Sequence, residues 1–246
     1  MKRSLLILCF GFVKMMSSQS DSNVIAAPLL GIHFGGDLPF ADMGVRYGAN
    51  LNTGFNFMYK TKKNFLFGID ANYGFGRNIK DDVLKNVKNS DGFVVDNSGY
   101  PADIRVSERV IAITLHAGKL LPLGSPNPNS GLFIDGGLGY MQHKVHFVDI
   151  NQQIAAINGD IRSGLDRLTN GICASQFVGY LYLSDNRFLN FYTGIEAFEA
   201  FTKSVRKLNY DTGLPDTKSR VDVLLGLRIG WILPLYSRTP KNYFYY

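Results

Sequence analysis

The segment FLFGIDANYGFG at residues 65–76 alternates strictly between two kinds of side chain. Apolar and aromatic residues fill every odd position, from Phe65 to Phe75, whereas the even positions hold leucine, glycine, Asp70 and Asn72. Successive side chains of a β-strand point to opposite faces, so this pattern predicts a strand with one wholly apolar face. The other face lacks the Lys, Glu and Thr that favour a solvated sheet surface. Its small and polar residues suit a crowded interior, which predicts a barrel wall with lipid outside.

Seven further segments repeat this alternation. Residues 221–235 set valine, leucine, isoleucine and Trp231 against Asp222, Arg228 and two glycines. Residues 29–36, 51–59, 132–141 and 188–198 also alternate clearly, residues 110–121 do so more weakly, and residues 171–183 can be placed with either face outward. Most of these segments approach the ~9–11 residues of a tilted membrane strand. The chain therefore predicts eight strands, an even number and the smallest size common in such barrels.

The connections between these segments differ systematically in length. The links at residues 60–64, 122–130 and 184–187 are short, whereas those at 37–50, 77–109, 147–170 and 202–220 are long. Outer-membrane barrels have short turns in the periplasm and long loops outside. The predicted fold is therefore an all-β, eight-stranded antiparallel up-and-down transmembrane barrel with long, partly helical extracellular loops and both termini in the periplasm. Helical pieces are predicted at residues 79–87 and within residues 150–168.

The first twenty residues have the pattern of a secretory signal peptide. Lys2 and Arg3 precede a short apolar stretch, and a polar run follows at residues 17–20. The apolar stretch is too short to span a bilayer. The predicted organisation is a signal peptide at residues 1–20, an outer-membrane barrel at 21–236 and a periplasmic tail at 237–246. The alternative is that residues 1–20 form the amphipathic first helix of a cytoplasmic protein.

Composition narrows the function classes. The chain of 246 residues has 26 glycines and 13% aromatic residues, which together favour strands and membrane interfaces. Its formal charge of +6 includes Lys2, Arg3 and Lys14 of the predicted signal, and no long basic run remains without them. Nucleic-acid binding needs a clustered basic patch, so it is not expected. Cys173 is alone after residue 20, which excludes an intramolecular disulfide in the mature chain.

Over residues 24–236 the architecture resembles the small eight-stranded outer-membrane barrel proteins of Bacteroidota-type bacteria. One local match is sharper: RIGWILPL at residues 228–235 resembles the C-terminal insertion signal of these barrels. In that family the signal normally ends the chain, whereas here ten residues follow Tyr236. The resemblance implies insertion into the outer membrane and contact with its lipid and lipopolysaccharide.

Several charged residues are predicted to point into the lumen, where isolated burial would be costly. We expect Arg228 at the centre of a carboxylate network, with Lys119 below it. The carboxylates of this predicted network are Asp70, Asp135, Glu196 and Asp222. Aromatic side chains are predicted to lie at the membrane interface, on the periplasmic side at Tyr59, Phe65, Trp231 and Tyr236.

No catalytic motif stands out, and no metal or cofactor is expected. A hydrolase would need a serine, a histidine and a carboxylate together, for which His33, His116 and Ser175 are the inward candidates. His143 and His146 point to opposite faces of a strand and are expected at the solvated rim. A basic patch on one loop, expected to meet lipopolysaccharide phosphates, comprises Lys203, Arg206, Lys207, Lys218 and Arg220.

These observations favour a non-enzymatic barrel that serves as an accessory or scaffold subunit of an envelope complex for secretion, insertion or uptake. The alternative is a lipid-modifying or hydrolytic enzyme with its site at the outer rim. A narrow channel is a third possibility, which the small lumen of eight strands disfavours.

Overall fold

The computed structural model describes residues 24–149, 154, 157, 160–184, 189–210 and 212–235. These form one closed antiparallel barrel in which each strand pairs with its neighbours in sequence and the last strand pairs with the first. The predicted fold class is confirmed. The predicted signal peptide, the tail and Tyr236 lie outside the described residues. The strands are β1 (Ala27–Phe40), β2 (Asn50–Lys60), β3 (Phe65–Gly76), β4 (Ile104–Leu121), β5 (Gly131–Asp149), β6 (Thr169–Tyr182), β7 (Phe191–Ser204) and β8 (Ser219–Pro234), and the helices are α1 (Ala41–Arg46) and α2 (Asp160–Leu165).

The pairing register closes the barrel with a stagger of ten residues. A path through paired residues leaves β1 at Gly31 and runs once around the barrel. It returns at Ala41, directly after the end of β1 and ten residues further along the chain. The path passes through Asn56, Asp70, Thr114, Gly139, Cys173, Ala200 and Asp222. Such a stagger accompanies a strand tilt of ~35–45° and, in an eight-stranded barrel, an interior just wide enough for side chains to fill.

The two faces of the wall are sorted as the alternation predicts. Outward side chains include Phe55, Leu138 and Leu227, which are 63%, 72% and 69% exposed. The structure also decides the ambiguous strand β6. Its odd residues, such as Cys173 and Phe177, point inward and are buried, while the alternate residues point outward.

Several strands continue past the ends predicted from alternation. β4 begins at Ile104 and β5 continues to Asp149, and these two residues pair with each other. The outer parts of both strands carry polar residues on the outward face, among them Arg105, Ser107 and Lys144. The alternation of apolar and polar residues is therefore lost at these strand ends, although the backbone pairing of β4 with β5 continues.

The helix predicted at residues 79–87 is wrong, because this segment forms a series of turns. Its backbone hydrogen bonds mostly span two or three residues, as from the Val83 N–H to the Asp81 carbonyl. Val83 and Leu84 are adjacent and both buried, whereas a helix would turn their side chains ~100° apart around its axis. The second helical prediction is confirmed in part by α2. No helix of the described residues is long and apolar enough to cross a membrane.

Two apolar clusters fill the barrel at different heights. The lower core lies at the short-turn end and consists of Leu29, Met58, Leu66, Leu120, Phe133, Phe177, Leu181, Leu183, Tyr192 and Ile232. The upper core lies toward the long loops and combines wall residues such as Val110, Met141 and Phe198 with Val83 and Leu84 of the loop after β3. Ile154, Ile157 and Leu165, from the connection between β5 and β6, belong to it too. The long loops are thus packed onto the barrel interior and close its mouth.

Candidate functional site: the lumen and its outer mouth

A polar layer crosses the lumen between the two cores, with Arg228 at its centre. Its Nη1 atom lies 3.0 Å from Oδ2 of Asp70, and its Nη2 atom lies 2.6 Å from Oε1 of Glu196. All three side chains are buried. The residues paired with Arg228 on β7 and β1 are Gly194 and Gly35, and the absence of side chains there leaves room for the guanidinium. One guanidinium thus compensates two carboxylates from β3 and β7.

Asp135 belongs to the same layer but pairs with a different residue. Its Oδ2 atom lies 2.7 Å from Nδ1 of His116. His33 lies nearer the Arg228 group, with its Nδ1 atom 3.7 Å from Oδ2 of Asp70. Ser175, Asp135 and His116 line a small cavity in this layer whose volume is about 20 Å³, which is room for one water molecule. His33 and His116 lie inward as predicted, but their partners were not predicted from the sequence.

Asp222 departs from the predicted network. It lies one layer higher, where its Oδ2 atom is 2.9 Å from Nε2 of His143 and accepts a hydrogen bond from the Thr202 hydroxyl. His143 is completely buried and meets the Tyr47 ring edge-on. The prediction of a solvated His143 is therefore wrong, because β5 runs eight residues past its predicted end and keeps this position inside the barrel. His146 does lie on the opposite face of the strand, half-buried.

Lys119 is a second correction to the predicted network. It lies outside the lumen, and its Nζ atom is 3.8 Å from the centroid of the Phe65 ring. The residue is odd-numbered on β4, whose even residues point inward. The alternation itself would have placed it outside. No group of three or more histidine, cysteine or acidic side chains in the described residues could hold a metal ion.

Three of the four predicted interface aromatics point outward near the short-turn end. Tyr59, Phe65 and Trp231 are 48%, 41% and 40% exposed. Phe65 stacks against Phe67 with ring centroids 6.3 Å apart, and Trp231 is paired across the sheet with Phe191. These aromatic residues lie on β2, β3, β7 and β8 at this end, and their position at a membrane interface stays a prediction.

The predicted basic loop patch is not one surface. Arg206 makes a two-pronged ion pair with Asp166, Lys218 lies 3.0 Å from Asp42, and Arg220 is buried against Asp216. Lys203 and Lys207 are exposed and have no carboxylate partner among the described residues. Three of the five cations are neutralised, Arg206 and Lys218 by carboxylates far along the chain and Arg220 by one four residues away. The patch prediction is therefore wrong as a single cluster.

These ion pairs set the titration of the loop carboxylates. Burial alone would raise the pKa of Asp216, but the hydrogen bond and the charge of Arg220 outweigh it and lower the pKa below its usual value. Burial opposes the same effect at Asp42, where the Val221 N–H and Lys218 lower the pKa of the carboxyl. Both carboxylates are therefore ionised at neutral pH.

A pocket at the long-loop end of the barrel, the mouth pocket, was not predicted from the sequence. It has a volume of about 470 Å³ and is lined by Asp42, Val45, Arg46, Lys80, Asp81, Arg167, Lys218 and Arg220. The lining comes from α1, the loop after β3, the residues before β6 and the start of β8. These segments are far apart in sequence, and they carry no common motif.

No family profile and no curated protein matches this chain. Among solved structures it is similar to the attachment invasion locus protein Ail of Yersinia pestis in complex with the heparin analogue sucrose octasulfate, at 12% identity and a TM-score of 0.42, covering 85% of this chain and 99% of that one. It is also similar to Neisserial surface protein A, at 9% identity and a TM-score of 0.42, covering 83% and 96%. A third is the outer membrane protein OprG of Pseudomonas aeruginosa, at 14% identity and a TM-score of 0.40, covering 85% and 96%. Identities this low carry no function to this chain.

Proposed function

We propose that this protein is an outer-membrane barrel without enzymatic activity that acts as an accessory or scaffold subunit of an envelope complex. In the proposed orientation, the short turns and both termini lie in the periplasm, and the long loops lie outside the cell. The observation that carries the proposal is the filled lumen, which leaves the outer surface as the part of the molecule that can meet a partner.

The exposed apolar wall supports the membrane setting. Side chains such as Phe34, Leu115, Ile172 and Leu227 are between 58% and 71% exposed, and they lie around the entire barrel. Large exposed apolar surfaces are unfavourable in water and mark a membrane or an interface. The closed sheet satisfies the backbone hydrogen bonds that lipid cannot. A surface of this kind on every strand fits hydrocarbon.

The packed interior argues against a transport role. The lower core, the Arg228 layer and the upper core follow one another along the axis, and the long loops close the mouth. The one cavity described within the Arg228 layer has a volume of about 20 Å³, far below the space that a solute of several atoms needs.

The loops beyond the barrel expose apolar side chains of their own. Val45, Tyr100 and Leu214 are 74%, 70% and 65% exposed, and Phe93 is 55% exposed. Large apolar side chains on loops outside the membrane are typical of surfaces that bind another protein. This surface is the proposed contact for a partner subunit.

The membrane setting is tested by fractionation and gel migration. The expected result is that the mature chain sediments with the outer membrane and that its migration changes when the sample is heated. A chain that stays soluble in the periplasm and migrates identically with and without heating would refute the proposal.

The partner surface is tested with a photo-crosslinking amino acid placed at Tyr100 or, as the matched control, at Leu123. Leu123 is 58% exposed but lies at the short-turn end. The expected result is one defined crosslinked protein from position 100 in intact cells and none from position 123. Crosslinks to lipid alone from both positions would contradict a scaffold role.

One observation favours the hydrolase as a second candidate: Ser175 shares the central cavity with the His116–Asp135 pair. An aspartate that orients a histidine beside a serine is the arrangement of acyl-transfer enzymes. The cavity lies between two apolar cores, so a substrate would need an opening of the barrel. Hydrolysis of a phospholipid or ester substrate that is abolished by Ser175→Ala would establish this candidate in place of the scaffold.

A further inference from the structure

The mouth pocket gathers cationic side chains from four separate parts of the chain. Arg46 ends α1, Lys80 belongs to the loop after β3, Arg167 precedes β6, and Lys218 with Arg220 flanks the start of β8. A volume of about 470 Å³ falls within the range of small-molecule sites, ~300–1,000 Å³. The pocket is therefore large enough for a ligand group of a few heavy atoms with its nearest substituents.

The positive charges of the pocket outnumber the negative ones. Its lining holds five cationic side chains and the carboxylates of Asp42 and Asp81, and the carboxylate of Asp216 lies beside it. Lys218 pairs with Asp42, and Arg167 lies 3.5 Å from Asp81. Each of these two cations is compensated by one carboxylate, so the surplus positive charge of the lining lies on the other three cations.

Two buried guanidiniums share the carboxylate of Asp216. Arg220 bonds Asp216 directly, while Nη2 of Arg46 stays 3.9 Å from the same oxygen. The Nη1 atom of Arg46 donates to a neutral group, the Thr169 hydroxyl, at 3.2 Å. Asp222 also attracts Arg46 from the layer below; its Oδ2 atom is bonded by His143 and Thr202, and its Oδ1 atom accepts no hydrogen bond from Arg46. Burial lowers the pKa of Arg46, and the charge of Arg220 lowers it further.

The third cation, Lys80, has no carboxylate within ion-pair distance in the part of the chain that the structure describes. The Lys80 Nζ atom donates to the Gly44 carbonyl at 2.8 Å, a contact that holds the ammonium over the pocket without neutralising it. The pocket is therefore surrounded by donors from Arg46, Arg220 and Lys80. Backbone hydrogen bonds from the Lys80 and Asp81 N–H groups to the Arg46 carbonyl hold α1 and the loop after β3 together. A held guanidinium loses little conformational freedom when it binds, and its fork matches tetrahedral oxyanions.

We propose that the mouth pocket binds the phosphate or sulfate ester group of a saccharide or lipid. The anion lies between Arg46 and Lys80, with Arg220 behind it, and supplies the negative charge that the lining lacks. This inference does not depend on the scaffold role, because the pocket lies in the described loops whatever protein the barrel contacts. Bound anion also ties α1 to the loop after β3 and should make both more rigid.

The test is calorimetric titration of the full mature barrel in neutral detergent, at about 0.15 M salt so that diffuse charge attraction is screened. The first probe is glucose 6-phosphate, with glucose as the uncharged control. The second probe is phosphatidic acid dispersed in the same detergent, with diacylglycerol as the uncharged control. Saturable binding of the phosphorylated probe and none of its neutral counterpart is expected.

Two variants locate the site. Arg46→Gln is expected to weaken binding by about tenfold or more, the usual scale for losing one charge-assisted contact. Lys80→Gln removes an exposed ammonium and should weaken it by roughly three- to tenfold, in a variant that keeps its native heat-modifiable migration. Lys207→Gln is the matched control, since this exposed loop lysine lies outside the pocket, and it should leave binding unchanged.

The outcomes separate the ligand sources. Variant-sensitive binding of the sugar phosphate assigns a saccharide ester, and variant-sensitive binding of phosphatidic acid alone assigns a lipid phosphate. The proposal is overturned if neither probe binds saturably, or if Lys207→Gln weakens binding as much as Lys80→Gln does. Failure here would leave the crosslinking result at Tyr100 untouched.

Discussion

Replacement of Arg228 by methionine should destabilise the barrel more than any other single loss of charge in the lumen. The substitution removes two ion pairs and leaves Asp70 and Glu196 facing each other inside the wall. Removal of one partner from a buried ion pair typically costs about 3–5 kcal/mol. Folded domains are stable by only ~5–15 kcal/mol. The loss should therefore be a large fraction of the total stability.

The assay is urea unfolding of the barrel in lipid vesicles, followed by tryptophan fluorescence. Trp231 is the single tryptophan of the chain and lies on the outward face of β8. Its emission should move to longer wavelength when the strand leaves the lipid. With a slope near ~2 kcal/mol per molar urea, a loss of about 4 kcal/mol lowers the unfolding midpoint by roughly 2 M.

Two controls separate charge burial from loss of packing. The triple variant Arg228→Met, Asp70→Asn, Glu196→Gln removes all three charges together and should recover most of the stability, because no uncompensated carboxylate remains. Arg105→Met removes an exposed arginine, 4.0 Å from Asp103, and should cost less than about 1 kcal/mol. Equal midpoints for Arg228→Met and Arg105→Met would refute the reasoning.

Three further predictions test the wall, the loops and the upper core. Gly171→Val places a side chain against the Phe201 carbonyl on β7. It should lower the free energy of unfolding by ~1–3 kcal/mol and reduce the fraction of protein whose gel migration changes on heating. A fraction equal to that of the wild type would contradict the tight strand register. Burial opposes but does not cancel the effect of Arg220, which holds the pKa of Asp216 below its usual value. The stability that the ionised carboxylate gives to the folded loop is therefore complete above pH ~4 and is lost as the pH falls further. Amide exchange of residues 205–218 should show this acid loosening in wild type, and Asp216→Asn, which lacks the titration, should show no such step. Cys173 is 2% exposed in the upper core, so in a chain starting at residue 21 a maleimide should label it only after unfolding, and rapid labelling of the folded barrel would mean that the interior is open.

The faces of the strands could be predicted from the sequence because they depend on a local rule. Alternation at residues 65–76 assigned Phe67 to the outside and Asp70 to the inside without any knowledge of neighbours. The same rule placed Arg228 and Glu196 inward on strands far apart in sequence. The alternating segments also predicted eight strands, and the loop lengths added the asymmetry between the two ends. The strand faces follow from a period of two residues, and the asymmetry follows from the lengths of the connections.

The partners inside the barrel could not be predicted in this way. Which residues share a height depends on eight pairing registers that accumulate to a shift of ten residues around the ring. A small error in one register would exchange the partners of every later strand. Asp222 therefore pairs with His143 rather than with Arg228, and His143 is buried because β5 continues where its outward face is already polar.

The mouth pocket depends on the tertiary structure still more completely. Arg46 and Lys80 belong to segments without strand periodicity, and Arg220 faces inward at the start of β8. The three meet only because the loops pack on the upper core. The sequence by itself determined which side of the wall each strand residue faces, since that is set within two residues. Closure of the ring and the folding of the loops decided which charges meet, since those contacts join different strands and loops, as between Arg228 and Asp70, which are 158 positions apart.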